Sequence, residues 1–134
     1  MSLQIIDASQ SIPSASSGSI NRPVPAAPGS IILAEFGLTT VANSKVQLNA
    51  VIGYAATLGL PDVVFQIIRD TQPIFTITSS TLAVLEQSNI SFNTVDLTPP
   101  IGSHAYRITA EVANGLLTGA TIVGPVAFSG TVLA

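Results

Sequence analysis

From Ser30 to the last residue, short runs of β-branched and apolar residues are broken by Gly, Pro, Asn and Asp, and no run keeps a helical period. The runs are 31-IILAEFGLT-39, 45-KVQLNAVIGYAAT-57, 62-DVVFQIIRD-70, 73-PIFTITSS-80, 90-ISFNTVDL-97, 104-HAYRITAEVA-113 and 120-ATIVGPVAFSGTVLA-134. Seven or eight strands in a chain of 134 residues predict one all-β domain, an antiparallel sandwich or jelly roll.

The second run alternates cleanly. Val46, Leu48, Ala50, Ile52 and Tyr54 share one face, opposite Gln47, Asn49 and Val51, so the first set is predicted to face the core. In the third run Val63, Phe65 and Ile67 share a face with Arg69, while Val64 and Ile68 lie opposite with Gln66, which predicts cover on both faces. The turns 70-DTQP-73 and 98-TPPIGS-103 separate strands tightly. Residues 81-TLAVLEQSN-89 fit a helical turn, a loop or an edge strand. In the closing run, Gly124-Pro125 reads as a bulge or an edge entry, since proline cannot donate within a central ladder.

The first thirty residues differ. A short apolar cluster, Leu3, Ile5 and Ile6, is followed by many Ser, Gly and Pro, and 22-RPVPAAP-28 predicts extended backbone. The expected organisation is an extended arm and connector over 1–29 and a β domain over 30–134.

Charge limits the partners. Only 8% of residues are charged, against about 25% in typical domains, and the net charge is −3. So weakly charged a surface gives little self-repulsion and favours association. Arg22, Lys45, Arg69 and Arg107 are the only cations, too few to neutralise several phosphates or to hold an anionic membrane surface. No run approaches the roughly 20 apolar residues of a membrane helix, and the first residues lack the pattern of a signal peptide. Neither nucleic acid nor membrane is an expected partner.

The inventory for catalysis is thin. With no cysteine there is no disulfide, thiolate ligand or thiol nucleophile. His104, the sole histidine, cannot build a zinc site alone, and no Gly-x-Ser-x-Gly elbow accompanies it. Asp62, Asp70, Asp96 and Glu111 are spread over separate strands and turns, where turn capping and single ion pairs with Arg69 or Arg107 account for them. The glycines form neither a dinucleotide fingerprint nor a phosphate loop. No catalytic residue, cofactor or metal is expected, and the chain is read as a non-enzyme.

The strings 44-SKVQLNAVIGYAATLGLPDVVFQIIRDTQPIFTI-77, 90-ISFNTVDLTPPIGSHAYRITAEV-112 and 123-VGPVAFSGTVLA-134 resemble the exosporium protein C-like proteins of the spore surface of Bacillus-type endospore formers. The resemblance spans nearly the whole chain and rests on packing and turn residues. It implies a ten-strand jelly roll of the C1q/tumour-necrosis-factor type, a three-fold assembly with the last strand facing the axis, and a place in the exosporium or a spore appendage. On that basis Val123, Val126, Phe128, Val132 and Leu133, joined by Ile52, Tyr54 and Tyr106, are the expected core and subunit-contact residues. Expected partners are copies of the chain, as a homotrimer, higher oligomer or filament, and other spore-surface proteins.

Within that reading the arm, through Leu3, Ile5 and Ile6, either adds a strand to a neighbour's sheet, which builds filaments, or folds back on its own subunit or stays disordered. Two other classes remain. A C1q-like or lectin-like module would bind carbohydrate or protein through 39-TTVANS-44, 78-TSSTLAVLEQSN-89 and 114-NGLLTG-119, although few aromatics offer stacking; a phage or viral fibre tip is a variant. A cupin-like enzyme would need several convergent histidines or carboxylates.

Overall fold

The computed structural model describes residues 3–80 and 86–134. It contains nine strands: β1 (Ile5–Ser14), β2 (Arg22–Pro23), β3 (Ile31–Thr40), β4 (Lys45–Leu58), β5 (Asp62–Arg69), β6 (Gln72–Ser80), β7 (Gln87–Asp96), β8 (Gly102–Val112) and β9 (Gly119–Leu133). No helix occurs among the described residues. Residues 81–85, within the segment where a helical turn is one expectation, lie outside the described residues, while Gln87–Asn89 begin β7.

Two antiparallel sheets form. Sheet A is ordered β1-β9-β4-β7, with the two-residue β2 also on β9, and sheet B is ordered β3-β8-β5-β6. Apart from the pairs β1–β2 and β5–β6, successive strands lie in opposite sheets, and the first pairs with the last, which is the eight-stranded jelly-roll order with one short addition. The fold class is as the alternation predicts; the described residues form nine strands, where the runs predict seven or eight and the resemblance implies ten. The 70–73 turn is a two-residue hairpin in which Arg69 faces Gln72, and Asp70 holds φ at 56°, a left-handed value that aspartate tolerates.

The core lies between the sheets. Val46, Leu48, Ala50, Ile52 and Tyr54 of β4 meet Val63, Phe65 and Ile67 of β5 and Tyr106 and Ile108 of β8, all buried. Phe36 packs on Phe128 with ring centroids 4.6 Å apart, and Tyr54 meets Phe65 edge-on at 5.7 Å. One expectation is corrected: Val64, Gln66 and Ile68 remain half-exposed, so among the described residues no layer covers the second face of β5.

The arm takes the fold-back alternative, which corrects only its placement outside the domain. Residues 5–14 are not outside the domain: they pair with β9 of the same chain, from Ile5 opposite Leu133 to Ser14 opposite Val126. Main-chain bonds dominate here, because the side chains that β1 turns inward are Asp7, Ser9, Ser11 and Ser14. The Asp7 carboxylate accepts the Thr39 amide at 2.9 Å, fastening β1 to sheet B. The connector is extended but docked: the Val24 amide donates to Ala120 O, and Val112 N donates to Pro25 O, both at 2.9 Å.

At Gly124-Pro125 the ladder is irregular, as the sequence predicts. Ile52 faces Val126 and Tyr54 faces Ile122, so β9 carries extra residues opposite Gly53. Gly124 takes φ 92°, and a Cβ on Gly53 would overlap the Gly124 carbonyl. Backbone cannot yield as a flexible side chain does. Gly53→Ala should therefore cost about 3 kcal/mol, the upper part of the usual overpacking range, read as a lower urea midpoint at unchanged slope.

Candidate functional site

The densest polar constellation lies at the end of the sandwich where β5 turns into β6 and the 97–101 loop enters β8. Arg69, in phase with Val63, Phe65 and Ile67, points into the core, where an unpaired guanidinium would be costly. Asp96, the last residue of β7, arrives on the same side. Arg69 Nη1 donates to Asp96 Oδ2 at 2.6 Å, and the Tyr106 hydroxyl donates to the same oxygen at 2.8 Å. Burial alone would lower the Arg69 pKa, but the hydrogen bond and charge of Asp96 outweigh it and hold it above the ordinary value. Burial first, and then the adjacent carboxylate, push the Tyr106 hydroxyl upward, so it stays a neutral donor.

A second set surrounds His104. Its Nδ1 lies 2.7 Å from Asp70 Oδ2 and its Nε2 lies 2.6 Å from the Pro100 carbonyl oxygen. Both partners are acceptors, so both ring nitrogens donate only in the imidazolium form. Burial opposes that charge, while the bonds to Asp70 and Pro100 more than restore it, and the His104 pKa is raised. The Asp70 carboxyl is held low by the His104 hydrogen bond, and then by the Ala105 amide, which donates to Oδ1 at 2.9 Å. Thr40 Oγ1 donates to Pro100 O at 2.6 Å, so one carbonyl ties the loop to both β3 and β8.

This arrangement is a latch. Of the carboxylates that the sequence scatters, Asp62, Asp70 and Asp96 are engaged, while Glu111 stands on the outer side of β8. Asp96 pairs with Arg69, Asp70 caps Ala105 and holds His104, and the Asp62 carboxylate accepts from Ser80 while its backbone amide donates to Asn114 Oδ1. Arg107 pairs with Glu35 at 3.3 Å and donates to Asp70 O at 2.8 Å. Among the described residues no group of three or more histidine, cysteine or carboxylate side chains is placed to hold a metal. Sequence pattern alone does not assemble the Arg69–Asp96–Tyr106 cluster. Its one signal is Arg69 on a core-facing register, which requires an acceptor from another strand.

The eight expected contact residues divide. Ile52, Tyr54, Tyr106, Val126, Phe128 and Val132 are at most 1% exposed and fill the interior of the single chain, so they are core and not surface for a neighbour. The reason is phase: in β9 the positions of Ile122, Val126, Phe128 and Val132 point inward, whereas Val123 and Leu133 point outward and stay half-exposed. Of the arm, Leu3 and Ile5 are largely exposed and Ile6 is partly so.

His104 makes stability depend on pH. Its folded-state pKa lies above the ordinary 6.5, so its contribution is complete below that pH and is lost as pH rises through the raised value. Asp70 acts in the opposite sense: its support is present above the ordinary 3.8 and is lost as pH falls through its lowered value. Urea midpoints of the wild-type chain should decline as pH rises past neutrality, and His104→Gln should flatten that decline, since there is no other histidine. Phe128→Ala should lower the stability of the isolated chain by about 3–5 kcal/mol in denaturant titration, as for a core aromatic.

No protein-family model matches the chain, and no curated protein matches it. Among solved structures it is similar to a chain of infectious bursal disease virus strain Gt, at 12% identity and a TM-score of 0.56 over 95% of this chain and 36% of that one. A chain of the Gx strain matches at 14% identity and a TM-score of 0.52, over 97% and 32%. The T13 particle of the same virus contributes a third, at 12% identity and a TM-score of 0.52, over 95% and 37%. The chain thus spans about a third of the length of these viral chains. The likeness is one of fold: an antiparallel jelly roll.

Proposed function

We propose that the chain is a non-enzymatic structural protein that assembles with copies of itself through the outer face of sheet A, as a homotrimer or higher oligomer, at the surface of an endospore. The observation that carries the assembly is the chemistry of that face. Outward positions on its strands include Gln10 on β1, Gln47, Asn49 and Val51 on β4, Asn93 on β7, and Ser129 and Thr131 on β9, and Lys45 is the one ionisable side chain among those described. Gln10, Ser129, Asn49 and Asn93 stand in one cross-strand row. Next to it, Ile12, Val51 and Ala127 line a shallow apolar groove.

Such a face has little charge to desolvate and carries amides able to pair with their own kind, which suits a surface buried against a copy. Sheet B differs, with the Glu35–Arg107 pair and Glu111 on its outer side. Val123 and Leu133, outward on β9, stay in the proposed contact, and the other six expected residues support it from beneath. Support for association also comes from the similar structures, which are chains of virus particles. The place on an exosporium or spore appendage rests on the sequence resemblance alone.

Sedimentation of the purified chain tests the reading. Wild-type protein should associate over a roughly hundredfold range of concentration. Asn49→Lys with Val51→Lys, both at exposed positions, should yield single subunits with an unchanged melting curve. A wild-type chain that stays single throughout would overturn self-assembly, and a variant that associates like wild type would move it to another face.

A further inference from the structure

The two ends of the sandwich are as informative as its faces. At one end the β4–β5 turn and the β8–β9 loop come together: Leu58 pairs with Gly119, and a Cβ on Gly59 would lie 2.8 Å from Leu117 O. Four leucines project there, with exposures of 58% for Leu58, 55% for Leu60, 94% for Leu116 and 76% for Leu117. Isolated exposed leucines need no account, but four on two touching loops form an apolar tip.

The opposite end carries a counterpart. The β3–β4 turn and the 97–101 loop expose Val41 at 40%, Leu97 at 63% and Ile101 at 72%. Between them lies an open cleft lined by Asn43, Ser44, Lys45, Leu97, Thr98 and Pro99. The His104 latch fixes this loop through Pro100. Strand β4 runs the length of the sandwich from Lys45 to Leu58, so the two patches stand roughly 45 Å apart.

We infer that the leucine tip of one copy docks against the Val41, Leu97 and Ile101 patch and its cleft at the opposite end of the next, so that copies stack head to tail along the strand direction. The occupant is a second copy for two reasons. The complementary surface is present on the same chain, a protruding tip at one end and a recess at the other. The charges also agree: Lys45 borders the cleft, Glu86 lies just before β7 at the tip end opposite Ala56, and both are exposed and outside any salt bridge among the described residues. Of the other carboxylates towards the tip, Asp62 accepts from the Ser80 hydroxyl and Glu111 stands on the outer side of sheet B; Asp7 near the cleft accepts from backbone amides. Because β4 and β7 are neighbours, stacking in line brings Glu86 of one copy towards Lys45 of the next.

A contact between two different patches does not close on itself, so it propagates. The inference rests on the self-assembly reading above, but apart from Lys45, which stands where that face meets the end, it uses the ends of the sandwich and not the outer face of sheet A.

Two variants test it. L116E/L117E disables the tip, and L97E/I101E disables the cleft; all four side chains are exposed, and unchanged melting curves would verify that both variants fold. Negative-stain images of wild-type protein should show filaments or linear stacks, and each variant alone should give none. An equimolar mixture should give pairs of the basic unit and nothing longer, since only one good junction forms in it, and either variant added in small amounts to wild type should shorten the stacks.

Stacks that survive in L116E/L117E would overturn the inference and leave assembly through sheet A standing. Tip-to-tip contact is the outcome if L97E/I101E assembles alone as well as wild type. Wild-type protein that forms compact oligomers without stacks also rejects the junction, and a wild-type chain that remains single rejects both readings.

Discussion

Strand β9 is hydrogen-bonded to β1 on one side and to β4 on the other, and alternate side chains from Ala120 to Val132 enter the core. Most other features follow from this double pairing. A strand with partners on both edges has no free ladder, so its fifteen residues hold two of the other sheet A strands in register at once. Its irregularity at 123–125 then has to be matched by its neighbours. Gly53 on β4 leaves room for the Gly124 carbonyl, and on the other side β1 ends at Ser14, with β2 resuming the pairing at Arg22 opposite Ile122.

Close approach recurs farther along β9. At Gly130 an added Cβ would lie 2.8 Å from the Phe36 ring, so the aromatic ring of sheet B occupies the space that a side chain of sheet A would otherwise take. Phe36 then reaches both Phe128 and Tyr106, with centroids 4.6 Å and 6.1 Å away. The polar end of the sandwich begins where this aromatic group stops: Tyr106 turns its hydroxyl to Asp96, which receives Arg69, and beyond them His104 clamps the 97–101 loop. An apolar interior thus ends in a charged layer whose members are paired, and only then gives way to solvent.

Strands that turn apolar residues inward are legible from sequence, because a two-residue period needs no knowledge of partners. The runs from residue 31 onward match β3 to β9 to within a few residues. β1 is not legible as part of the sheet, since it faces inward with aspartate and serines and outward with Ile6 and Ile12, the inverse of a core-seeking pattern. Its place is decided by ladder bonds to a strand more than a hundred residues away, and no local pattern reports that. Six of the eight residues expected as core and contact are core alone, for a related reason. Apolarity alone picks out side chains of β9 without regard to phase, and phase decides whether Phe128 meets Phe36 or a neighbouring copy. The Arg69–Asp96–Tyr106 cluster joins three strands from two sheets, so only topology could assemble it.

The central position of β9 also has a consequence in time. It is the last of the nine strands to be synthesised, yet β1, β2 and β4 all lean on it, and its pairing with β1 spans nearly the whole sequence. Contacts of such long range are slow to form, because the chain between them must be closed before they give any return. While the chain is being made, β4 has one of its two sheet neighbours missing, and Val46, Leu48, Ala50, Ile52 and Tyr54 lack much of their cover. Folding of this domain therefore waits on the fifteen residues of β9, and a nascent chain stalled before them holds an unfinished sheet whose open edge is the one most ready to pair with the wrong strand.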